Sequence, residues 1–600
     1  MARKLRNAKP TVARHADSTP PRTRPELPGA CLTPNRRMGL DALAAFGLAL
    51  LARLLYVAWA RHHDPYFSWV RPGWDMEHFQ AMADMCLKGD WLLSERGIFY
   101  YSPLFGWFCG IVYSVFGARN FLAVHLAQAV MGACSIGLAF IIARTWLGRA
   151  GAWFAAMTLA LAAPWLFYEQ TLLHEGMMLF LYTVFLWGAR TGALGWRLKW
   201  ARLVVAGGAL GLAALGRGNA LACLVVVAGW LLLQGNPESR ALSPAEKKTG
   251  IRRLGWAPAG ALVLGTLLVL GSLVARNHAV AGRWTVGMGN GKVLFYLGNA
   301  IDADGTFAYS PRFLDAHEKD PKHDYMGHFF EDLKADPNHF IELLARKTFY
   351  FFRTQDLADN MNLQLAEKLL LPVKVTPVKW WWLTPLGLAG LLLAAPRWRD
   401  WMLVWLFTAA FAASLILIIP IGRYRAPVLL PLAIGAGFAV QWAAAWWKVG
   451  NKERVIGAAA GTVLLGLALA PWPSEHPMIR SNDYGGAVLA CLDSGMPKRA
   501  VEVCNWALAD FPPDSPDYMV ILNRRIMALV AAGEEKSPEA LESAHKLLQE
   551  RQFSLEGAIA AVKVYAAHGR VEQARGLAAA LLEAPKLPEK DRKELERYIQ

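Results

Sequence analysis

Runs of apolar residues long enough to cross a bilayer constrain this chain more than any other feature. A spanning helix needs ~20 mostly apolar residues, and candidate runs fall at 40–60, 121–143, 150–167, 172–189, 203–217, 219–234, 256–275, 383–396, 401–420, 426–447 and 455–471. Such runs leave only one efficient way to satisfy the backbone in lipid, the α-helix. Composition agrees: 55% of the 600 residues are apolar and 18% charged, against about 25% charged in an ordinary soluble domain. The expected fold is therefore all-α, a polytopic membrane protein with about eleven transmembrane helices. The net charge of +16 does not argue for nucleic acid, because the basic residues sit in short segments between apolar runs, where they set topology.

A twelfth apolar stretch, 101–117, decides the parity of everything after it. If it spans, Arg144/Arg149, then Arg190, Arg197, Lys199 and Arg202, then Arg240, Lys247, Lys248, Arg252 and Arg253 all fall outside the cell. If it is re-entrant or interfacial, all three groups fall inside, with Arg397/Arg399 and Lys448/Lys452/Arg454, as the bias of cytoplasmic loops toward Lys and Arg demands. The second assignment puts 61–120, 276–382 and 472–600 on the far side. The N-terminus is then cytoplasmic and the C-terminal part periplasmic, in a bacterial inner membrane.

Three parts follow. Residues 1–37 carry nine Lys/Arg against two acids and lack a short apolar core with a small-residue cleavage site, so they read as a disordered cytoplasmic arm rather than a signal peptide. Residues 38–471 form the membrane domain, with outer loops at 61–120 and 276–382. Within the second loop, Met326–Leu333 and Phe340–Phe352 read as amphipathic helices lying on the bilayer, and Trp380-Trp381-Trp382 marks re-entry into lipid. Residues 472–600 turn Ala/Leu/Glu-rich with helical periodicity. Ser494-Gly495-Met496-Pro497 through Glu502 and His568-Gly569-Arg570 through Arg575 each place a glycine turn before a helix, which resembles tetratricopeptide hairpins. This small soluble domain is a candidate docking surface for a protein partner. Its Cys491 and Cys504 are open to two readings, a disulfide in an oxidising compartment or two buried thiols. The seven cysteines contain no CxxC and no Cys/His ligand spacing, which argues against zinc and dithiol chemistry.

Charge is expensive beside hydrocarbon, so where it appears it carries information. Trp74-Asp75-Met76-Glu77-His78-Phe79 packs two carboxylates and an imidazole directly after the first apolar run. One reading makes Asp75 the cap of an amphipathic helix with Phe79, Met82, Ala83 and Cys86 on its buried face; the other makes the cluster a site. His174/Glu175, Arg217/Asn219, Arg276 and Arg423-Tyr424-Arg425 fall on the same predicted face. Acids and arginines converging there suit acid/base work beside an anionic lipid headgroup, since the planar fork of arginine binds phosphate bidentately. Each also has a plain reading as an interfacial anchor or an ion pair within the bundle. The Gly/Asn/aromatic stretch Asn277–Ser310, with Asn290, Tyr296 and Asn299, reads as a turn-rich substrate loop. It has no lysine-terminated P-loop, so a nucleotide site is not expected. Arg53, inside the first run, has no partner apparent in the sequence.

The chain in order, Trp74-Asp75 with Glu77-His78-Phe79, Ala81 and Ala83, Gly89-Asp90, Tyr101-Ser102-Pro103-Leu104, Phe116-Gly117, Leu172-Leu173-His174-Glu175, Gly211 through Arg217-Gly218-Asn219, Arg276-Asn277, Gly282, Asn290-Gly291, Gly298-Asn299 and Arg423-Tyr424-Arg425-Ala426-Pro427, resembles the dolichyl-phosphate-mannose protein mannosyltransferase superfamily. That superfamily includes bacterial lipid A aminoarabinose transferases and has the glycosyltransferase-C fold. The resemblance spans about residues 38–445. It implies transfer of a monosaccharide from a polyprenyl- or dolichyl-phosphate donor to a protein, lipid or glycan acceptor at the outer face, with Asp75 as the catalytic carboxylate. One departure concerns Glu77: the eukaryotic mannosyltransferases have adjacent Asp-Glu, and here Met76 intervenes.

The chemistry suits such a site. A lipid phosphate leaves readily, so the demand is for cations on the departing charge, and a single carboxylate suffices as base for inversion. The sequence thus assigns Asp75 as base, Glu77, His78, His174 and Glu175 as further catalytic or substrate-binding candidates, and Arg423, Arg425, Arg276 and Arg217 as donor-phosphate ligands. No cofactor is certain and a divalent metal is left open. Other readings are a lipid-linked-sugar translocase or export subunit with the tail as scaffold, or an oligosaccharide polymerase or ligase. Polar residues in both membrane halves would mark a translocase; the inner halves of these helices are plain.

Overall fold

The computed structural model describes residues 29–234, 255–287, 290–320, 322–471, 479–550, 552–583 and 587–599. The basic arm up to residue 28, the basic group Arg240–Arg253 and Met288-Gly289 of the substrate loop lie outside the described residues. The described chain is helical, with one isolated β-bridge between Ala162 and Val378, so it is an all-α, multi-pass membrane protein. Among the described residues six helices are long and apolar enough to cross a membrane: Arg36–His63, Phe121–Arg144, Lys199–Gly216, Trp256–Ala281, Ala395–Ile416 and Gly422–Lys448. Leu104–Phe116, Gly218–Gln234 and Trp380–Leu393 are shorter apolar helices. The remaining expected runs are also helical but shorter, less apolar or interrupted. The run at 150–167, for example, is two helices, Arg149–Ala160 and Ala163–Glu169, broken where Ala163 N–H donates to Val378 O (2.8 Å) and Pro164 opens the second helix.

In lipid there is no hydrophobic gain from pairing apolar helices, so close approach must come from small residues. Lys199–Gly216 and Trp256–Ala281 meet this way: a Cβ on Gly207 would lie 1.9 Å from Leu262 O, and one on Gly265 2.0 Å from Val204 O. Gly390 and Gly435 do the same for Trp380–Leu393 against Leu429–Lys448. Arg53 finds the partner that the sequence does not name: its Nε donates to Glu169 Oε1 (2.8 Å) and its Nη2 to Oε2 (2.9 Å), both side chains fully buried. Gly132 makes room for this carboxylate, since a Cβ there would fall about 2 Å from it.

The described parts of the two long loops, 61–120 and 276–382, are folded. Asp75–Leu87 buries Phe79, Met82, Ala83 and Cys86 against Leu104–Phe116, the face expected from its periodicity. The helices Tyr325–Ala335 and Pro337–Phe352 differ from expectation, because Phe329, Leu343 and their neighbours turn onto the Gly291–Leu297 helix and form a small core of their own. The tail forms three hairpins, Ser481–Asp493/Pro497–Asp510, Pro516–Ala531/Pro538–Glu550 and Leu555–Ala567/Val571–Leu582, followed by Glu589–Glu596. Gly495, Gly533 and Gly569 turn the three hairpins with φ near +70°, a conformation glycine adopts without steric cost. Cys491 and Cys504 are buried free thiols. The core of the first hairpin is continuous with that of the membrane part, while the later hairpins build a second core.

Candidate active site

A cavity of about 690 Å³ opens where the outer loops, the ends of the spanning helices and the head of the tail meet. Asp75 is the first residue of its helix, after the N-cap Trp74. Its carboxylate does not cap that helix. Oδ2 accepts from Arg423 Nη2 (2.9 Å) and Asn360 Nδ2 (2.9 Å), no side chain or backbone donor among the described residues takes Oδ1, and Asp75 lines the cavity. Glu77 takes the local role instead, accepting from Gly73 N–H (2.7 Å) outside the cavity lining.

Arg423 is the hub. Its Nε donates to Asp359 Oδ2 (2.7 Å), Nη1 to Glu175 Oε1 (3.2 Å) and Nη2 to Asp75 and the Tyr424 hydroxyl (3.4 Å). The loop carrying Asp359 can lie on this turn because Gly422 has no side chain: a Cβ there would be 2.5 Å from Asp356 Cγ. Burial raises the Asp359 carboxyl above the usual range, against the opposing pull of the Arg423 guanidinium. Arg217 also donates to Glu175 through Nη2 and stacks on the Tyr424 ring, 3.7 Å from its centroid. Its Nε and Nη1 have no partner among the described residues, so of the two arginines in this cluster it is Arg217 that keeps donors for an anion.

His174 lines the cavity, buried and edge-on to Phe79 at 5.6 Å, with both ring nitrogens unpartnered. Buried polar groups normally have partners, so this imidazole is set to meet one in the cavity. His78 stacks on Tyr101 at 3.9 Å, and burial followed by the nearby Arg96 lowers its pKa; it supports the wall rather than forming it. Asn290 lines the cavity.

Four expected site residues stand elsewhere. Arg425 is not a phosphate ligand in this arrangement: it lies against Trp380 (4.2 Å), with every guanidinium nitrogen committed to Asp356 or to the carbonyls of Tyr350, Phe351, Arg353 and Gln355. Arg276 lies on Phe99 and holds the carbonyls of Leu92, Leu93 and Gly97, which fixes the first outer loop from outside the cavity. Tyr296 donates to Asp332 (2.8 Å), and Asn299 accepts from Lys347 (2.8 Å); both belong to the small outer core. Sequence reasoning also missed Asp359, Asn360, Tyr309, Arg480 and Asn482, all in the cavity wall. A signal was present for the first two: Asp356-Leu357-Ala358-Asp359-Asn360-Met361-Asn362 holds two acids and two amides directly after an aromatic run. For a metal, among the described residues no three His, Cys, Asp or Glu side chains converge as a ligand set; the carboxylates of the cluster are held by arginine.

Residues 101–247 match the family model of dolichyl-phosphate-mannose-protein mannosyltransferases, a stretch that includes His174, Glu175 and Arg217. The resemblance read from the sequence is thus met by an independent comparison over that part of the chain. Solved structures similar to this chain include ArnT from Cupriavidus metallidurans bound to undecaprenyl phosphate, with 15% identity over 91% of this chain and 81% of that one and a TM-score of 0.38. The apo oligosaccharyltransferase from Archaeoglobus fulgidus is another, with 13% identity over 79% of this chain and 60% of that one and a TM-score of 0.38. No match was found among curated proteins.

Proposed function

We propose that this protein is a membrane glycosyltransferase that moves a monosaccharide from a polyprenyl-phosphate donor to an acceptor at the outer face, with inversion. The observation that carries the reading is the Asp75 carboxylate, fixed through Oδ2 by Arg423 and Asn360, with Oδ1 left without a donor among the described residues, in the wall of a cavity that also holds Arg217. In the step proposed, the acceptor hydroxyl gives its proton to Asp75 Oδ1 as its oxygen bonds to the anomeric carbon. The bond from that carbon to the lipid phosphate breaks on the opposite face, and its electron pair leaves with the phosphate. Arg217 meets that charge with its two uncommitted nitrogens, where a preorganised donor is worth most. Leu415 and Ile418, at and just beyond the end of a spanning helix, give the cavity an apolar side for the lipid, and Trp74, Tyr101 and Tyr309 give flat faces for the sugar.

The test is turnover of polyprenyl-phosphate monosaccharides by detergent-purified protein. Asn keeps the shape of Asp75 and the contact to Arg423 but cannot take the proton. Asp75→Asn should therefore lose at least ~10²-fold in rate, the low end of what a general base contributes. Glu77→Gln should lose less, because Glu77 only accepts from the Gly73 N–H. An active Asp75→Asn enzyme would move the base to another residue, and a wild type that turns over no such donor would remove the reading.

A further inference from the structure

We propose that the turn Arg480–Asp483, at the head of the helical tail, is a positioning element of the site: Arg480 holds the loop carrying Asp359 and Asn360, and Asn482 holds, through Arg71, the loop carrying Trp74 and Asp75. The inference rests on the transferase reading for its consequence and on geometry for its substance.

Two separate chains of contact run from this turn, one to the Asp75 carboxylate and one to the Trp74 ring beside it. In the first, Arg480 Nη2 donates to the Asp359 carbonyl (2.9 Å), the Asp359 side chain takes Arg423 Nε, and Asn360 beside it donates to Asp75. Arg480 is itself fixed, since Asp483 accepts from its backbone N–H, Nε and Nη2. Asp483 also accepts from Asn362 Nδ2 (2.9 Å), which closes the loop from its far end. In the second chain, Asn482 Oδ1 accepts from Arg71 Nη2 (2.9 Å), and the Arg71 guanidinium lies 3.6 Å from the centroid of the Trp74 ring, the residue before Asp75. Arg71 passes so close to the tail that a Cβ on Gly486 would be 2.8 Å from its Nη1.

The tail is therefore more than an appended scaffold. Arg480 and Asn482 reach the cavity wall, to which Leu415 and Ile418 at the end of a spanning helix also contribute, so the wall has a part suited to the lipid and a part supplied by the tail. A group that enters past the tail is the acceptor, and the turn that aims Asp75 is the first surface it meets. Loss of the turn should lower the rate of the bound complex while leaving the donor's hold on Arg217 in place.

The experiment uses full-length protein in detergent, with Arg480→Ala, Arg480→Lys and Asn482→Ala, and reads two quantities. Amide hydrogen exchange, which needs no substrate, should quicken at least ~5-fold at 354–362 in Arg480→Ala and at 70–76 in Asn482→Ala, with protection across 481–510 retained, because local opening follows the contacts that hold a segment. Turnover of a panel of undecaprenyl-phosphate monosaccharides should show kcat falling ~10-fold or more with donor KM held within a few-fold, since small misplacements of a reacting group are costly. Arg480→Lys should regain most of both, as an ammonium still reaches one carbonyl. Unchanged exchange at both loops, or an unchanged kcat, would overturn the assignment. So would loss of protection throughout 481–510 in both Arg480 variants, which would make the turn a folding element of the tail alone. Altered exchange in a protein whose wild type transfers no sugar would leave the tie standing and remove the transferase reading.

Discussion

Arg423 and Arg425 stand two residues apart on one helical turn, about 200° around its axis, and that rotation separates their roles. One side chain enters the cavity cluster, and the other turns back onto Trp380 and ties five backbone and side-chain acceptors of the 350–356 segment. The expected consequences differ in kind. Arg217→Ala should cost on the order of 10²–10³ in rate, as removal of a donor at developing charge does, and Arg217→Lys should fall between, because a point charge keeps attraction and loses the fork. Arg425→Ala and Arg425→Lys should both lower the melting temperature, since neither can satisfy Asp356 and the carbonyls together. If Arg425→Lys melts like wild type and loses only donor affinity, the phosphate role returns to Arg425.

At the scale of elements, the buried Arg53–Glu169 pair between the Arg36–His63 and Ala163–Glu169 helices gives a sharp test. Arg53→Ala strands a carboxylate and should destabilise by ~3–5 kcal/mol. Replacing both partners, Arg53→Met with Glu169→Leu, should recover most of that loss. A thermal melt in detergent decides it; a double variant no better than the single would mean that the pair acts through more than mutual charge. The Pro337–Phe352 helix offers a pH test. Lys347, fully buried, donates to Asn299 Oδ1 and to Ile418 O (2.8 Å each), and burial lowers its pKa to about 7. The unfolded chain then holds the proton up to its ordinary value, so between about pH 7 and 10 it binds more protons than the fold, and stability rises with pH across that window. Lys347→Met should flatten the rise; an unchanged slope would assign it to another group. Elements were the most legible level of the sequence: the apolar runs, the Asp75 helix with its buried face and the glycine turns at Gly495 and Gly569 follow from periodicity and turn chemistry. The third turn, at Gly533, lacked the flanking likeness of the other two. Of the site, Asp75, His174, Arg217 and Arg423 were readable because each interrupts or abuts an apolar run. Arg480 and Asn482 were not, because they act across sequence separations that no local period encodes, and for Asp359 and Asn360 the cluster of acids and amides was present but nothing local tied it to Asp75.

For the whole molecule, the cavity itself constrains topology. Residues that line one cavity lie on one side of the membrane, so the chain must cross an even number of times between any two of them. Asp75 and His174 are separated by Leu104–Phe116, Phe121–Arg144 and the interrupted pair Arg149–Ala160/Ala163–Glu169. The interrupted pair together is long enough to cross, at ~1.5 Å per residue, so even parity requires that one of the three does not cross, and the bias of cytoplasmic loops toward Lys and Arg selects Leu104–Phe116, whose crossing would put Arg144/Arg149 and Arg190–Arg202 outside. Two crossings bring the chain back to the same face; three would not. The same parity holds onward if, among the described residues, the crossings are Glu175–Ala193 and Lys199–Gly216 before Arg217, Leu221–Gln234 and Trp256–Ala281 before Asn290, Trp380–Leu393 and Trp398–Ile416 before Arg423, and Leu429–Lys448 and Lys452–Ala468 before Arg480. With Arg36–His63 before Asp75, this count would make eleven crossings, the number expected from the apolar runs, and would put the Lys448–Lys452 turn opposite the cavity. A phosphatase fused after Gln600 should therefore be active outside the cytoplasm, and a fluorescent protein fused at Val449 should mature inside it. Fluorescence from fusions at both Gln600 and Val449 would require an even number of crossings between them and so an odd number between Asp75 and Arg480, which would break the cavity apart as an assembled site; fluorescence at Gln600 with phosphatase activity at Val449 would instead turn the cavity to the cytoplasm.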